Sequence, residues 1–176
     1  GSGRTGGTNA MRAGGVWVGL LTAALDLLKG YTAIALARWL APEALWVQAL
    51  AGAAAVAGHN WSVWIYLVSG KFSAGAGTGP NVGAAIAFWP GVFVIAIPVI
   101  LFFVFIVGYA SVASMAAALA LVIIFAVRAA SLGAPYEYIA YASITTILVI
   151  LALLPNIQRL IKGTERRVGI FAKKAA

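Results

Sequence analysis

Three short polar clusters carry most of the chemistry that this 176-residue chain could perform. The first is Gly1-Ser2-Gly3-Arg4-Thr5-Gly6-Gly7-Thr8-Asn9-Ala10-Met11-Arg12. Its glycines allow close backbone approach, and successive N–H groups in such a run form an anion-binding nest. Ser2, Thr8 and Asn9 add short hydrogen-bonding side chains, and Arg12 offers a fork that grips a phosphate at two points. The alternative is a flexible terminal tail. The G-x-G-x-x-G spacing at Gly1, Gly3 and Gly6 does not signal a dinucleotide site, because a membrane-length apolar run follows it in place of a βαβ unit.

The second cluster is Gly58-His59-Asn60, followed by Ser69-Gly70-Lys71 and Gly75-Ala76-Gly77-Thr78-Gly79. Glycines around one lysine again suit phosphate. A Walker loop is excluded, since its first glycine would fall at Ile65. His59 is open to three readings: a phosphate ligand, a proton carrier, or a packing residue at a helix end. The third cluster is Asn156-Ile157-Gln158-Arg159-Leu160-Ile161-Lys162-Gly163-Thr164-Glu165. Leu160 and Ile161 can rest at the headgroup boundary while Arg159 and Lys162 meet water or lipid phosphate. A basic stop-transfer flank is the plainer account.

Asp26 and Lys29, three residues apart, share one helix face inside an apolar run. Charges there are expensive and either pair or line a polar cavity. The inventory also excludes chemistry. The chain has no cysteine and one histidine, His59. Thiol catalysis, Cys-zinc sites and histidine clusters are ruled out, and no carboxylate group is dense enough for a metal, so neither metal nor cofactor is expected. No nucleophile has an evident base. Glycines, hydroxyls, amides and isolated cations can bind phosphates and stabilise developing negative charge. Such a set serves an already activated substrate.

The elements that must position these clusters are helices in a bilayer. Hydrophobic residues make up 63% of the chain and charged residues 9%, against about 25% charged in soluble domains; mean hydropathy is +1.00. The expected fold is all-α and polytopic, with six spans: 16–41, 44–57, 82–89, 92–107, 111–130 and 138–154, the longest of them near or above the roughly 18–20 residues a spanning helix needs and the one before Pro90 the weakest. Pro90 separates the third and fourth, and Pro98 is expected to kink the fourth. Arg38 and Arg128 fall near helix ends, where snorkelling is expected.

Net charge is +8. Arg4 and Arg12 precede the first span, and Arg159, Lys162, Arg166, Arg167, Lys173 and Lys174 follow the last, so both ends read as cytoplasmic. Six spans agree with that parity. The clusters at 1–12, 58–81 and 156–165 then converge on one face. The charge also suits anionic headgroups; the lipid bilayer is an expected partner and nucleic acid is not.

At these clusters the sequence resembles the bacterial acyl-phosphate-dependent glycerol-3-phosphate acyltransferase family. Its Gly-Ser-Gly-x-x-Gly-x-Thr-Asn-x-x-Arg motif is matched by Gly1-Ser2-Gly3, Gly6, Thr8-Asn9 and Arg12. Asp-x-x-Lys-Gly is matched by Asp26, Lys29 and Gly30, the Gly-His pair by Gly58-His59, and the Gly-Lys loop by Gly70-Lys71. The Asn-Ile-x-Arg-Leu-x-x-Gly-Thr-Glu tail is matched by Asn156-Ile157, Arg159-Leu160 and Gly163-Thr164-Glu165, and Ser111-Val112-Ala113-Ser114 resembles the family's Ser-x-x-Ser turn. Departures are Phe72 for a loop glycine, Ser62 for a proline, and Leu153 for a histidine.

The resemblance implies a seven-helix protein whose first helix lies upstream of Gly1. Residues 1–176 would be one integral-membrane acyltransferase-like domain, with 156–176 a basic cytoplasmic tail, in a bacterial plasma membrane with the active face cytoplasmic. It implies acyl transfer from acyl phosphate to the 1-hydroxyl of glycerol 3-phosphate. Ser2, Arg12 and Lys71 would serve catalysis, and Gly3, Thr8, Asn9, His59, Gly70 and Asn156 would bind substrate. Competing readings are a small membrane transporter or channel, suggested by Asp26/Lys29 and the Pro-broken helices, and a non-catalytic family member, suggested by Phe72 and Leu153.

Overall fold

The computed structural model describes residues 5–70 and 75–168, and these are all-helical. Seven α-helices follow in order: α1 (Gly7–Leu40), α2 (Leu45–Asn60), α3 (Val63–Ser69), α4 (Thr78–Phe88), α5 (Val92–Phe102), α6 (Ala110–Leu132) and α7 (Tyr136–Ile161), with a π-helical turn at Phe103–Val107. Among the described residues, α1, α6 and α7 are long and apolar enough to cross a membrane. The 16-residue α2 rises about 24 Å at 1.5 Å per residue, short of a ~30 Å hydrocarbon core. The apolar Val92–Val107 stretch is similarly short.

Several boundaries differ from those expected. Helix α1 starts at Gly7 rather than Val16. Gly15 breaks it, at φ +85° and ψ 178°, a conformation suited to glycine. The Gly7–Gly14 arm folds back on the following turns: a Cβ on Gly7 would meet the Gly19 carbonyl and Ala23, and one on Gly19 would meet Met11. Thr8, Asn9 and Arg12 therefore sit on a helical arm rather than in an extended nest. The two-residue link Trp61-Ser62 leads into α3, a helix not expected from the sequence. The Ser62 hydroxyl accepts from the Ile65 amide at 3.4 Å as its N-cap, and its exposed Val63, Trp64, Leu67 and Val68 suit the headgroup boundary.

Helix α4 starts four residues earlier than expected and occupies the centre. Gly77 caps it at φ +68°, and Pro80 falls in its first turn, where no intrahelical N–H is needed. Pro80 to Ala85, Ala87 and Phe88 are all buried, the signature of a helix surrounded by others. It crosses α1 in backbone contact: a Cβ on Gly30 would strike the Pro80 carbonyl, and one on Gly83 the Leu27 carbonyl. Small residues at such crossings are how membrane helices pack closely. Phe88, Phe125, Tyr138 and Tyr141 form the aromatic core between α4, α6 and α7. The wholly buried Tyr141 hydroxyl donates into a site shared by the Asn81 carbonyl (2.6 Å) and Asn81 Oδ1 (2.7 Å).

Helix α7 runs through Pro155 to Ile161, seven residues beyond the expected end. The two outer arginines do not snorkel freely. Arg38 Nη2 donates to the Ala87 carbonyl at 2.9 Å, at the end of α4, and Arg128 stacks 3.9 Å from the Trp89 ring centroid.

Candidate functional site

Five helix ends meet at one side of the bundle: the α1 arm, the C-terminal turns of α2 and α7, and the N-termini of α4 and α6. Between them lies a cavity of about 620 Å³. Thr8, Asn9, Arg12, His59, Asn156 and Arg159 contribute to its polar wall, together with Thr78, Ser111 and Ser114. The opposite wall is apolar, with Ile97, Ile100, Leu101, Val104 and Phe105 from α5 and the π turn. A second, smaller cavity of about 410 Å³ is lined by Thr22, Asp26, Lys29, Gly58 and Ser62. Thr5, Gly6, Asn9, Asp26 and His59 face both.

The expected site residues separate into three groups. Thr8, Asn9, Arg12, His59 and Asn156, drawn from three helices, line the larger cavity. Gly70 lines neither; it ends α3 in the left-handed conformation at φ +67°. Ser2, Gly3 and Lys71 lie outside the described residues, as do Arg4 and Phe72.

The α7 end is built around Glu165, which sequence reasoning left out of the site. Gly163 at φ +68° reverses the chain after α7, and the Thr164 amide bonds back to the Arg159 carbonyl at 2.8 Å. That reversal carries the Glu165 carboxylate under the helix end, where its side chain is 7% exposed. Asn156 Nδ2 donates to Oε1 at 2.6 Å, Ser111 Oγ to the same oxygen at 3.1 Å, and Arg159 Nε to Oε2 at 2.7 Å. Arg12 Nη2 reaches the Arg167 carbonyl at 3.4 Å, tying the α1 arm to this segment. The signal for Glu165 was its place at the end of the third cluster, but nothing in the spacing said that the chain would turn back.

Leu153 stands where the family pattern has a histidine. It is buried against Ala118 and Val149, with Ala76 and Met115 beside it. That part of the cavity wall is apolar. Polar groups gather next to it: Thr78 Oγ1 donates to Ser114 Oγ at 2.6 Å, and Ser114 Oγ donates to the Ala110 carbonyl at 2.9 Å.

At the α1–α2 side, Asp26 and Lys29 pair at 3.2 Å, and the pair extends to His59. His59 Nδ1 lies 2.8 Å from Lys29 Nζ and 3.3 Å from Asp26 Oδ1. The Asp26–Lys29 pair and His59 thus form a three-residue polar cluster at the cavity wall. Gly75 packs on the far side of the imidazole, where a Cβ would strike His59 Nε2 and Thr5 Oγ1. Gly77 packs against Asn60 in the same way. Among the described residues there is no group of His, Asp and Glu able to hold a metal ion.

The arrangement is a polar, cation-bearing pocket continuous with an apolar wall. It suits a ligand with an anionic head and a hydrocarbon tail, and it supplies hydrogen-bond donors and positive charge where negative charge develops.

Residues 1–163 match the family model described as glycerol-3-phosphate acyltransferase. Glycerol-3-phosphate acyltransferase 3 of Dehalococcoides mccartyi is 36% identical over 180 residues, spanning 96% of this chain and 81% of that protein. Glycerol-3-phosphate acyltransferase of Halalkalibacterium halodurans is 32% identical over 170 residues, with 96% and 80% covered. The crystal structure of PlsY (YgiH), an integral membrane glycerol 3-phosphate acyltransferase, in its glycerol 3-phosphate form superposes with a TM-score of 0.83 at 31% identity, covering 96% of this chain and 80% of that one. Its lysophosphatidic acid form gives 0.84 at 30% identity, covering 97% and 83%.

Proposed function

The chain belongs to the glycerol-3-phosphate acyltransferase family of integral, multi-pass membrane proteins, and we propose that it transfers a fatty acyl group from acyl phosphate to the 1-hydroxyl of glycerol 3-phosphate. The products are lysophosphatidic acid and inorganic phosphate. The observation that carries this reading is the 620 Å³ cavity, whose Thr8, Asn9, Arg12 and Asn156 wall faces the apolar α5 wall. One relative of known structure was solved with glycerol 3-phosphate and with lysophosphatidic acid, which supports the acceptor and product assigned here.

The donor is the one that the family resemblance implies, and the residue inventory suits it. An acyl phosphate is a mixed anhydride with a good leaving group, so the chemistry needs no enzyme nucleophile. The glycerol 1-hydroxyl oxygen attacks the acyl carbonyl carbon, the carbon–oxygen bond to phosphate breaks, and the departing phosphate takes the hydroxyl proton. Arg12, with Ser2 and Lys71, binds the phosphates and the developing oxyanion. Asn9 and Asn156 orient them, and the acyl chain lies along α5 toward the bilayer. Gly3 and Gly70, as glycines of the two motifs, allow close backbone approach. In a bacterial cell the site would face the cytoplasm, on the side that carries the basic residues.

Purified protein given labelled glycerol 3-phosphate with acyl phosphate or acyl-coenzyme A tests this. Lysophosphatidic acid is expected with acyl phosphate alone. Equal use of acyl-coenzyme A would remove the substrate-assisted mechanism and with it the roles of Ser2, Arg12 and Lys71. No transfer from either donor would favour a non-catalytic member.

A further inference from the structure

His59 is the chain's single histidine, its side chain is 5% exposed, and its two ring nitrogens face different surroundings. Nδ1 faces Lys29 and Asp26. Nε2 and Thr5 Oγ1 pack against Gly75, where a Cβ would strike both, and His59 and Thr5 lie on the wall shared by the two cavities. Thr5 Oγ1 is itself buried and has no hydrogen-bond partner among the described residues. A ligand oxygen that enters either cavity beside His59 and Thr5 would therefore meet polar groups on its wall.

The proton on the imidazole can be placed from the donors around it. A lysine ammonium has three donors and no acceptor. At 2.8 Å, Lys29 Nζ makes His59 Nδ1 an acceptor, and in a neutral imidazole the proton then sits on Nε2. The opposite tautomer would donate from Nδ1 to Asp26 Oδ1 over a longer 3.3 Å and would set an N–H against the lysine. A doubly protonated ring would place two cations 2.8 Å apart. Asp26 supports the first arrangement, because its Oδ1 accepts from Lys29 Nζ at 3.2 Å and so anchors the lysine beside the imidazole.

We propose that Lys29 is a positioning residue that holds His59 as its Nε2–H tautomer, so that the imidazole presents an N–H donor to the junction of the two cavities for a phosphate oxygen of bound glycerol 3-phosphate. The charged pair within α1 thereby acts on substrate through the imidazole of α2. Gly75 belongs to the same device, because any side chain there would cover the donor. This inference rests on the function proposed above for its ligand, but not for the tautomer.

The test uses the full chain, untagged and labelled with nitrogen-15 at histidine, in nanodiscs; the ring signals then report His59 alone. At neutral pH the ligand-free protein is expected to show a protonated Nε2 and a bare, accepting Nδ1. Lys29→Met is expected to move the proton to Nδ1, with Asp26 as its acceptor, and Lys29→Arg to keep it on Nε2. Added glycerol 3-phosphate is expected to shift the Nε2 signal in wild type. Acyl transfer in Lys29→Met should fall at least about tenfold in kcat/KM, with recovery in Lys29→Arg. A wild-type Nδ1–H tautomer, an imidazolium, or a tautomer unchanged by Lys29→Met would each overturn the assignment. An unmoved Nε2 signal with glycerol 3-phosphate would overturn the donor role. If Lys29→Met fails to fold, the wild-type spectrum still decides the tautomer. An inactive protein with the expected spectrum counts against the proposed function and leaves the tautomer standing.

Discussion

The Asn156 amide donates to the Glu165 carboxylate at 2.6 Å, and through that bond the segment after α7 is fastened to the cavity wall. Glu165 also holds Arg159 and Ser111, so it joins α6, α7 and the tail at one point. Removing it leaves an amide, a hydroxyl and part of a guanidinium without their acceptor. Glu165→Ala is expected to cost about 2 kcal/mol, since an unmatched buried donor costs about 1–3 kcal/mol, Ser111 is buried, and Asn156 and Arg159 are only partly buried. Thermal unfolding in detergent checks this. A melting temperature equal to wild type would mean that the tail is held elsewhere.

Arg12→Ala and Lys71→Ala should each lower acyl transfer at least about tenfold, roughly 1.4 kcal/mol of transition-state stabilisation. Thermal stability should change little for Arg12, which is exposed and makes one long 3.4 Å bond to the Arg167 carbonyl. Wild-type kcat/KM in both variants would move the site away from the larger cavity.

The apolar wall predicts a steric effect on the donor. Ile100 is half-buried and lines the larger cavity on α5. Ile100→Trp should narrow the path of the hydrocarbon chain and raise KM for long-chain acyl phosphates several-fold more than for short-chain ones. A uniform change across chain lengths would place the acyl chain against another wall.

The chain lacks cysteine, so single cysteines report topology without background. Cysteines at Thr5, Ser73 and Thr164 should all react with a membrane-impermeant reagent from the cytoplasmic side. Opposite accessibility of any two would separate the clusters and end the shared-site reading.

The sequence alone determined the solvent, the helices and the clusters. A chain with 63% hydrophobic residues has too little polar surface for water. In lipid every backbone N–H and C=O must be satisfied within the segment, which leaves helices as the solution for such apolar runs. Residue types nominated Thr8, Asn9 and Arg12 as phosphate-binding candidates and left His59 open, and the family resemblance added Asn156. Tertiary structure decided how they face one another. Gly15 reads as one more glycine in a glycine-rich start, yet its positive φ folds the Gly7–Gly14 arm back against α1 and brings Asn9 to His59's cavity. The helical course through Pro155 and the reversal at Gly163 set Glu165 beneath Asn156, and the Gly30–Pro80 crossing buries α4 at the centre. Such placements arise from backbone approaches between segments far apart in the chain. Local periodicity carries no record of them, and so neither the Glu165 clamp nor the Lys29–His59 contact could be read from spacing.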